Sequence, residues 1–228
     1  MIKIELVSKS FSGIKVLSDI SFQVEDEEAV ALVGPSGSGK TTILRLLAGF
    51  EVPDIGEITI GDGLVSWKGY ACPPHERGIG MVFQKPALWP HMTLEQNVRF
   101  GLKGMSKAGI TERVEELFSL THLNGLERRY PHQVSGGEAQ RATLARAIAP
   151  NPDILFLDEP MTGLDHDLIA EMTRFLREIR EKTRTTVMYV GHDFNEARAI
   201  TDHVILLSHG EISYDGPWDG FDTQRNIQ

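Results

Sequence analysis

The chain has 228 residues, 41% hydrophobic and 24% charged, with 23 Lys and Arg against 32 Asp and Glu for a net charge of −9. This is an ordinary globular composition, which excludes disorder, collagen-like repeats and a disulfide scaffold, and the length lets roughly 70–75% of the unfolded surface be buried. The acidic balance argues against unaided binding to nucleic acid or anionic lipid through a broad basic face. The single cysteine, Cys72, forms no internal disulfide and the N-terminal MIKIEL has no long apolar core, so a reducing cytoplasm is the expected compartment. Apolar runs such as 29–33 and 154–157 fall far short of the roughly 20 residues of a membrane helix, so no direct membrane insertion is expected and any membrane role comes through a partner.

In chain order, 2–7 and 14–24 read as strands parted by Gly13, and with 57–60, which Gly61-Asp62-Gly63 ends, they suggest a flanking antiparallel layer. Between them, 29–33 is a short strand apolar on both faces, followed by a helical run over 42–48 closed by Gly49. Further buried strands are expected at 79–83, 153–157, 186–190 and 203–207, several followed by amphipathic segments, the pattern of a parallel sheet covered by helices. Residues 86–150 break that alternation with helix starts at Thr93, Thr111 and Ser135, and read as an inserted helical subdomain. The expectation is one α/β domain over 1–228, with 1–85 and 151–228 forming the β layer and core. A hairpin is expected over 208–216.

Gly34-Pro35-Ser36-Gly37-Ser38-Gly39-Lys40-Thr41 follows the strand at 29–33 and opens the helical run that begins with Thr42. Glycines let backbone N–H groups turn inward around phosphate oxygens, and the helix start adds its partial positive charge. In this P-loop, Lys40 is expected to reach the β and γ phosphates and the Thr41 hydroxyl to ligate Mg²⁺. A second acidic element ends the apolar run 154–157 with Asp158 and Glu159. Asp158 suits a water-mediated Mg²⁺ contact, and Glu159 could orient or deprotonate an attacking water. Gly34, Gln84, Asp158 and His192 each stand at the end of a different expected strand, where open α/β sheets bind ligands.

Ser135-Gly136-Gly137-Glu138-Ala-Gln-Arg opens a helix 23 residues before Asp158. The order GPSGSGKT, Gln84, VSGGEAQR, ILFLDEP, Thr162-Gly-Leu-Asp165 and Val190-Gly-His192-Asp193 resembles the nucleotide-binding subunit of an ATP-binding cassette (ABC) transporter over nearly the whole chain. The resemblance implies a RecA-like P-loop fold and a head-to-tail dimer in which two ATP molecules lie between the P-loop of one copy and the SGG segment of the other. It also implies that Phe11 stacks on adenine, that Gln84 touches Mg²⁺ and senses the membrane partner, that His192 switches at the γ-phosphate and that Asp165 communicates across the dimer. The family's segment is usually LSGGQ; here Val134 and Glu138 replace Leu and Gln. Because Glu138 lies three residues after Ser135, the pair also reads as a capping box.

The stretch Pro86-Ala-Leu88-Trp89-Pro90-His91-Met92 resembles that of bacterial importer subunits for sulfate, iron, polyamines and related solutes. In those subunits it faces the transmembrane permease, so Trp89 and Met92 are expected to offer an apolar surface, the alternative being that Leu88 and Trp89 pack inside. Many members of that group carry a further C-terminal regulatory domain, which the residues after Asp215 are too few to form. The leading expectation is an ATP-hydrolysing subunit at the cytoplasmic face of the inner membrane, working as a homodimer or with a paralogue to energise an importer. The alternatives are an ATPase of a lipoprotein-release or cell-division complex and a soluble ATPase of DNA repair or translation. The last usually has two cassettes or a long coiled coil, whereas 95 residues part Lys40 from Ser135 here and no basic stripe marks a nucleic-acid partner. Residues 25–28 read as a solvated acidic turn, His166 as a surface residue at a helix start, and Cys72 as an inert loop thiol.

Overall fold

A computed structural model describes residues 1–102 and 104–221. Its elements are β1 (Ile2–Phe11), β2 (Ile14–Val24), β3 (Ala29–Val33), α1 (Lys40–Ala48), β4 (Ile55–Ile60), β5 (Gly63–Trp67), β6 (Tyr70–Ala71), β7 (Ile79–Val82), α2 (Leu94–Arg99) and α3 (Lys107–Leu120). They continue with α4 (Gly136–Ile148), β8 (Ile154–Asp158), α5 (His166–Thr183), β9 (Thr186–Gly191), α6 (Phe194–Ile200), β10 (His203–Ser208) and β11 (Glu211–Pro217). The chain divides into two compact units, one of residues 1–79 with the segment from 185 onward, the other of residues 80–184.

The first unit holds an antiparallel layer in the order β2-β1-β4-β5-β6. Beside it in sequence, β11, β10, β3 and β9 lie side by side, with β10–β3 and β3–β9 parallel and β10–β11 antiparallel. All five residues of β3 and all six of β9 are buried, which accounts for the apolar runs 29–33 and 187–190: strands covered on both faces do not alternate. β2 does alternate over its last five residues, burying Ile20, Phe22 and Val24. The antiparallel layer is larger than its expected strands: β1 runs on through bulges to Phe11, and the hairpin β5–β6 extends the sheet, with Trp67 and Tyr70 stacked at 4.3 Å. α1 turns Ile43, Leu44, Leu46 and Leu47 into the core and ends at Gly49, whose φ of 82° is the left-handed cap the sequence suggested.

The expected solvated turn at 25–28 is corrected in part. Glu28 accepts a hydrogen bond at 2.6 Å on one side of the His203 ring, and Asp215 accepts one at 2.6 Å on the other, so Glu28 fastens the entry of β3 to β10 and β11. Burial alone would push the His203 imidazolium down, but the two carboxylates outweigh it and hold its pKa above the usual 6.5.

In the second unit β7 and β8 are neighbours, and four helices surround the sequence between and after them. α5 buries Met172, Phe175, Leu176 and Ile179, the spacing of one helical face. α2 and α4 begin where expected, each with a reciprocal capping box, at Thr93 with Gln96 and at Ser135 with Glu138. The expected start at Thr111 is wrong. α3 begins at Lys107, capped by the Ser106 hydroxyl on the Gly109 N–H at 3.1 Å. Thr111 lies inside the helix and donates its hydroxyl to the Lys107 carbonyl one turn back, the alternative open to a threonine away from a cap. Among the described residues no helix is long and apolar enough to cross a membrane.

Candidate nucleotide site

In the first unit, the loop from Gly34 to Gly39 leaves the buried end of β3 and delivers Lys40 as the first residue of α1. A Cβ at Gly34 would collide with the Leu207 carbonyl of β10, so only glycine lets the loop lie that close to the strand. Gly39, the residue before α1, has φ 110° and supplies no side-chain cap, which leaves the first-turn amides of α1 without a protein oxygen from that position. Lys40 is 6% exposed and donates to the Gly34 and Pro35 carbonyls at 2.8 and 2.9 Å. The Ser38 hydroxyl is buried and has no hydrogen-bond partner among the described residues. An uncapped helix start, an enclosed hydroxyl in need of a partner and a lysine within the loop together fit a phosphate chain.

Thr41 is exposed beside Lys40, and Thr42 is half-buried. Among the described residues no group of three or more His, Cys, Asp or Glu side chains could hold a metal by itself. The donor set fits Mg²⁺ only as Mg²⁺ is usually held, by one or two protein oxygens together with phosphates and water. Phe11 ends β1 at 38% exposure, with the Lys9 ammonium 5.0 Å from its ring centre. His192 is exposed in the turn between β9 and α6, next to Asp193, which caps α6 by accepting from the Asn195 and Glu196 N–H groups.

In the second unit Asp158 is the last residue of β8, and Glu159 follows with φ 46°, an uncommon backbone for a residue with a long side chain. One Glu159 carboxylate oxygen accepts from the Gln84 side-chain amide at 3.0 Å and from the Thr162 hydroxyl at 3.1 Å. The structure thus joins Gln84 to Glu159 and adds Thr162, whose role the sequence reading missed although it stood in the quoted TGLD segment. Asp165 caps α5 through the Leu168 N–H at 2.9 Å, and His166 is exposed at that helix start. At α4 the Glu138 carboxylate accepts the Ser135 N–H at 2.7 Å and the Ser135 hydroxyl accepts the Glu138 N–H at 3.3 Å. Ser135 and Gly136 are exposed, while Gly137 is buried, with the Leu168 side chain 3.1 Å from where a Cβ would stand. An ion pair at 2.9 Å between Arg141 and Glu171 further ties α4 to α5.

Trp89 departs from the exposed position expected of it. It is half-buried, its ring 4.3 Å from that of Phe100 and 4.5 Å from the Arg146 guanidinium. Burial lowers the Arg146 pKa. Fully buried Asn97 accepts the Trp89 N–H at 2.8 Å and donates to the Trp89, Met92 and Thr93 carbonyls. Leu88 and Met92 are also half-buried, and the strongly exposed apolar rings nearby in sequence are Phe83 and Phe100.

A glycine-rich loop between a buried parallel strand and a helix that begins with lysine defines a P-loop nucleotide-binding protein of the α/β class. The ABC transporter family's sequence pattern matches residues 17–162, and the chain belongs to that family. It is 44% identical over 220 residues to the Fe(3+) ions import ATP-binding protein of Pectobacterium atrosepticum, covering 96% of this chain and 63% of that protein. It is 44% identical over 224 residues to a sulfate/thiosulfate import ATP-binding protein of Agrobacterium fabrum, covering 96% of this chain and 64% of that one. The chain thus spans just under two thirds of the length of these curated relatives. Among solved structures it is similar to a dimeric ATP-binding cassette in a post-hydrolysis state bound to ADP and Pi, at TM-score 0.83 and 31% identity over 97% of this chain and 100% of that one.

Proposed function

We propose that the chain is the ATP-hydrolysing subunit of a bacterial solute importer, peripheral to the cytoplasmic face of the membrane and coupled to transmembrane permease subunits. It would act as a head-to-tail dimer with a second copy or a paralogue. The import ATP-binding proteins it resembles and the dimeric cassette support this reading. The observation that carries it is Glu159, a carboxylate set just past the end of β8 and held by Gln84 and Thr162.

In this reading Phe11 stacks on adenine, and Gly34, Pro35, Ser36, Gly37, Ser38 and Gly39 wrap the phosphates with the amides of Lys40, Thr41 and Thr42. The Lys40 ammonium exchanges its loop carbonyls for β and γ oxygens, a charge-assisted contact. Thr41, Gln84 and Asp158 would hold Mg²⁺, which supplies charge neutralisation along the phosphates. Glu159 takes a proton from water as its oxygen attacks the γ phosphorus, and the bond to the β–γ bridging oxygen breaks toward ADP. The Gln84 and Thr162 hydrogen bonds restrict the carboxylate to one orientation before water arrives. His192 contacts the γ-phosphate, while Ser135, Gly136 and Gly137 of the other copy close over the nucleotide with Glu138 and Asp165 beside them. The 86–150 segment bears that closing surface as a helical subdomain.

Glu159→Gln is expected to lower ATP turnover roughly 10²–10⁴-fold with ATP affinity kept within about threefold. Steady-state phosphate release and equilibrium nucleotide titration measure the two quantities, and near-normal turnover would move the base to another residue.

A further inference from the structure

Arg77 is 5% exposed, and its guanidinium is fully engaged by oxygens. Nε donates to the Cys72 carbonyl at 2.8 Å, Nη1 to the Leu46 and Leu47 carbonyls at 3.1 and 2.7 Å, and Nη2 to the Val65 carbonyl at 3.1 Å and the Ser66 hydroxyl at 2.6 Å. Among the described residues none of its partners is a carboxylate. A buried cation without a counter-ion is costly. What offsets that cost here is the last turn of α1, whose carbonyls carry the negative end of the helix dipole. The approach is close: a Cβ at Gly49, the α1 cap, would stand 2.6 Å from Arg77 Nε.

Four of these five bonds run to two elements of the same unit, α1 and β5, and the fifth goes to Cys72 in the loop that leads to Arg77. Leu46 and Leu47 belong to α1, whose opposite end is Lys40 and Thr41. Val65 and Ser66 belong to β5, in the same sheet as β1, the strand that ends in Phe11. α1 has nine residues, so a shift of its last turn is carried to its first. We propose that Arg77 is a positioning residue for ATP, fixing the phosphate-binding helix against the antiparallel sheet so that one nucleotide satisfies Phe11 and Lys40 together. This rests on the assignment of Phe11 and the P-loop under the proposed function. The gain from joining two subsites depends on their being held at the spacing of the ligand, and is lost when the spacing wanders.

A purely structural role would weaken every ligand alike, so the test compares two probes, MgATP and Mg²⁺-tripolyphosphate, which lacks the base. Arg77→Lys keeps the charge but has no planar fork to span α1 and β5. Isothermal titration of the folded chain is expected to show the MgATP Kd rising about tenfold and the tripolyphosphate Kd changing less than about twofold. Phe11→Ala should lower the same affinity ratio in the parent chain and lower it less in the Arg77→Lys chain, because the two changes act on one linkage. A parallel loss of both probes, no change in either, or full additivity with Phe11→Ala overturns the proposal. If Arg77→Lys fails to melt cooperatively, Ser66→Ala decides the matter: it removes one of the five acceptors, and a two- to threefold fall in the ratio is expected, an unchanged ratio being fatal. An unchanged ratio for Phe11→Ala in the parent chain would remove Phe11 from the base site, and the Arg77→Lys ratio would still decide the role of Arg77.

Discussion

The two helices that carry the glycine-rich segments begin in opposite ways. α1 starts after a left-handed glycine with no side-chain cap, whereas α4 starts after Ser135 with both halves of a capping box in place. An uncapped start leaves N–H groups in need of acceptors and gives an anion the full benefit of the dipole. A start closed by its own glutamate has spent part of that capacity, and its carboxylate adds a negative charge at the same point. In the proposed dimer the difference sets an order of events: α1 can take phosphate alone, while α4 is stable without ligand and would contribute to an anion already neutralised elsewhere. Exposed Ser135 and Gly136 suit that secondary role.

The contrast breaks most sharply at Lys40. Lys40→Ala is expected to weaken ATP binding by roughly 100-fold or more, read by titration, because no charge-assisted contact replaces it; unchanged affinity would make α1 no different from α4. The next effect is on stability at the second helix. Ser135→Ala should cost about 1 kcal/mol in urea unfolding through loss of a side-chain bond, one that α1 does not have at Gly39. For Glu138→Gln the side-chain amide oxygen can still accept the Ser135 N–H, so hydrolysis is retained and dimer affinity for ATP moves less than about tenfold, 1.4 kcal/mol. Loss of turnover in that variant would give the carboxylate a direct part in the reaction and collapse the contrast.

The strand leading to α1 has its own support in the pairing of His203 with Glu28 and Asp215. Because the folded-state pKa of His203 is raised, its stabilisation is fully present below the unfolded value near 6.5 and is lost as pH rises through the folded value. Thermal unfolding should therefore show a decline from mildly acidic to alkaline pH that is shallower in His203→Gln than in the parent chain.

The parts legible in the sequence were those fixed by local chemistry. The P-loop with its flanking strand and helix, the buried runs of β3 and β9, and the cap at Ser135 all follow from residues within a few positions of one another. Thr111 misled because a threonine followed by glutamate reads as a cap, while Ser106, with no acidic residue three places on, was the real one. The rest depended on distant partners. Nothing near Trp89 announces Arg146, nothing near Glu28 announces His203, and Arg77 finds its five oxygens on three separate stretches of chain. Thr162 lay in a recognised motif, but the Glu159 it bonds adopts a left-handed backbone, which the residue type itself disfavours.

Gly34 touches the carbonyl of Leu207, and β3 lies between β9 and β10, strands made more than 150 residues later. During synthesis the phosphate loop therefore leaves the ribosome with neither of its flanking strands. At roughly 5–20 residues per second the delay is on the order of 10–30 s, during which an apolar strand stands unpaired. A nascent chain stopped before residue 186 should hold no nucleotide, although its whole glycine-rich loop has been translated.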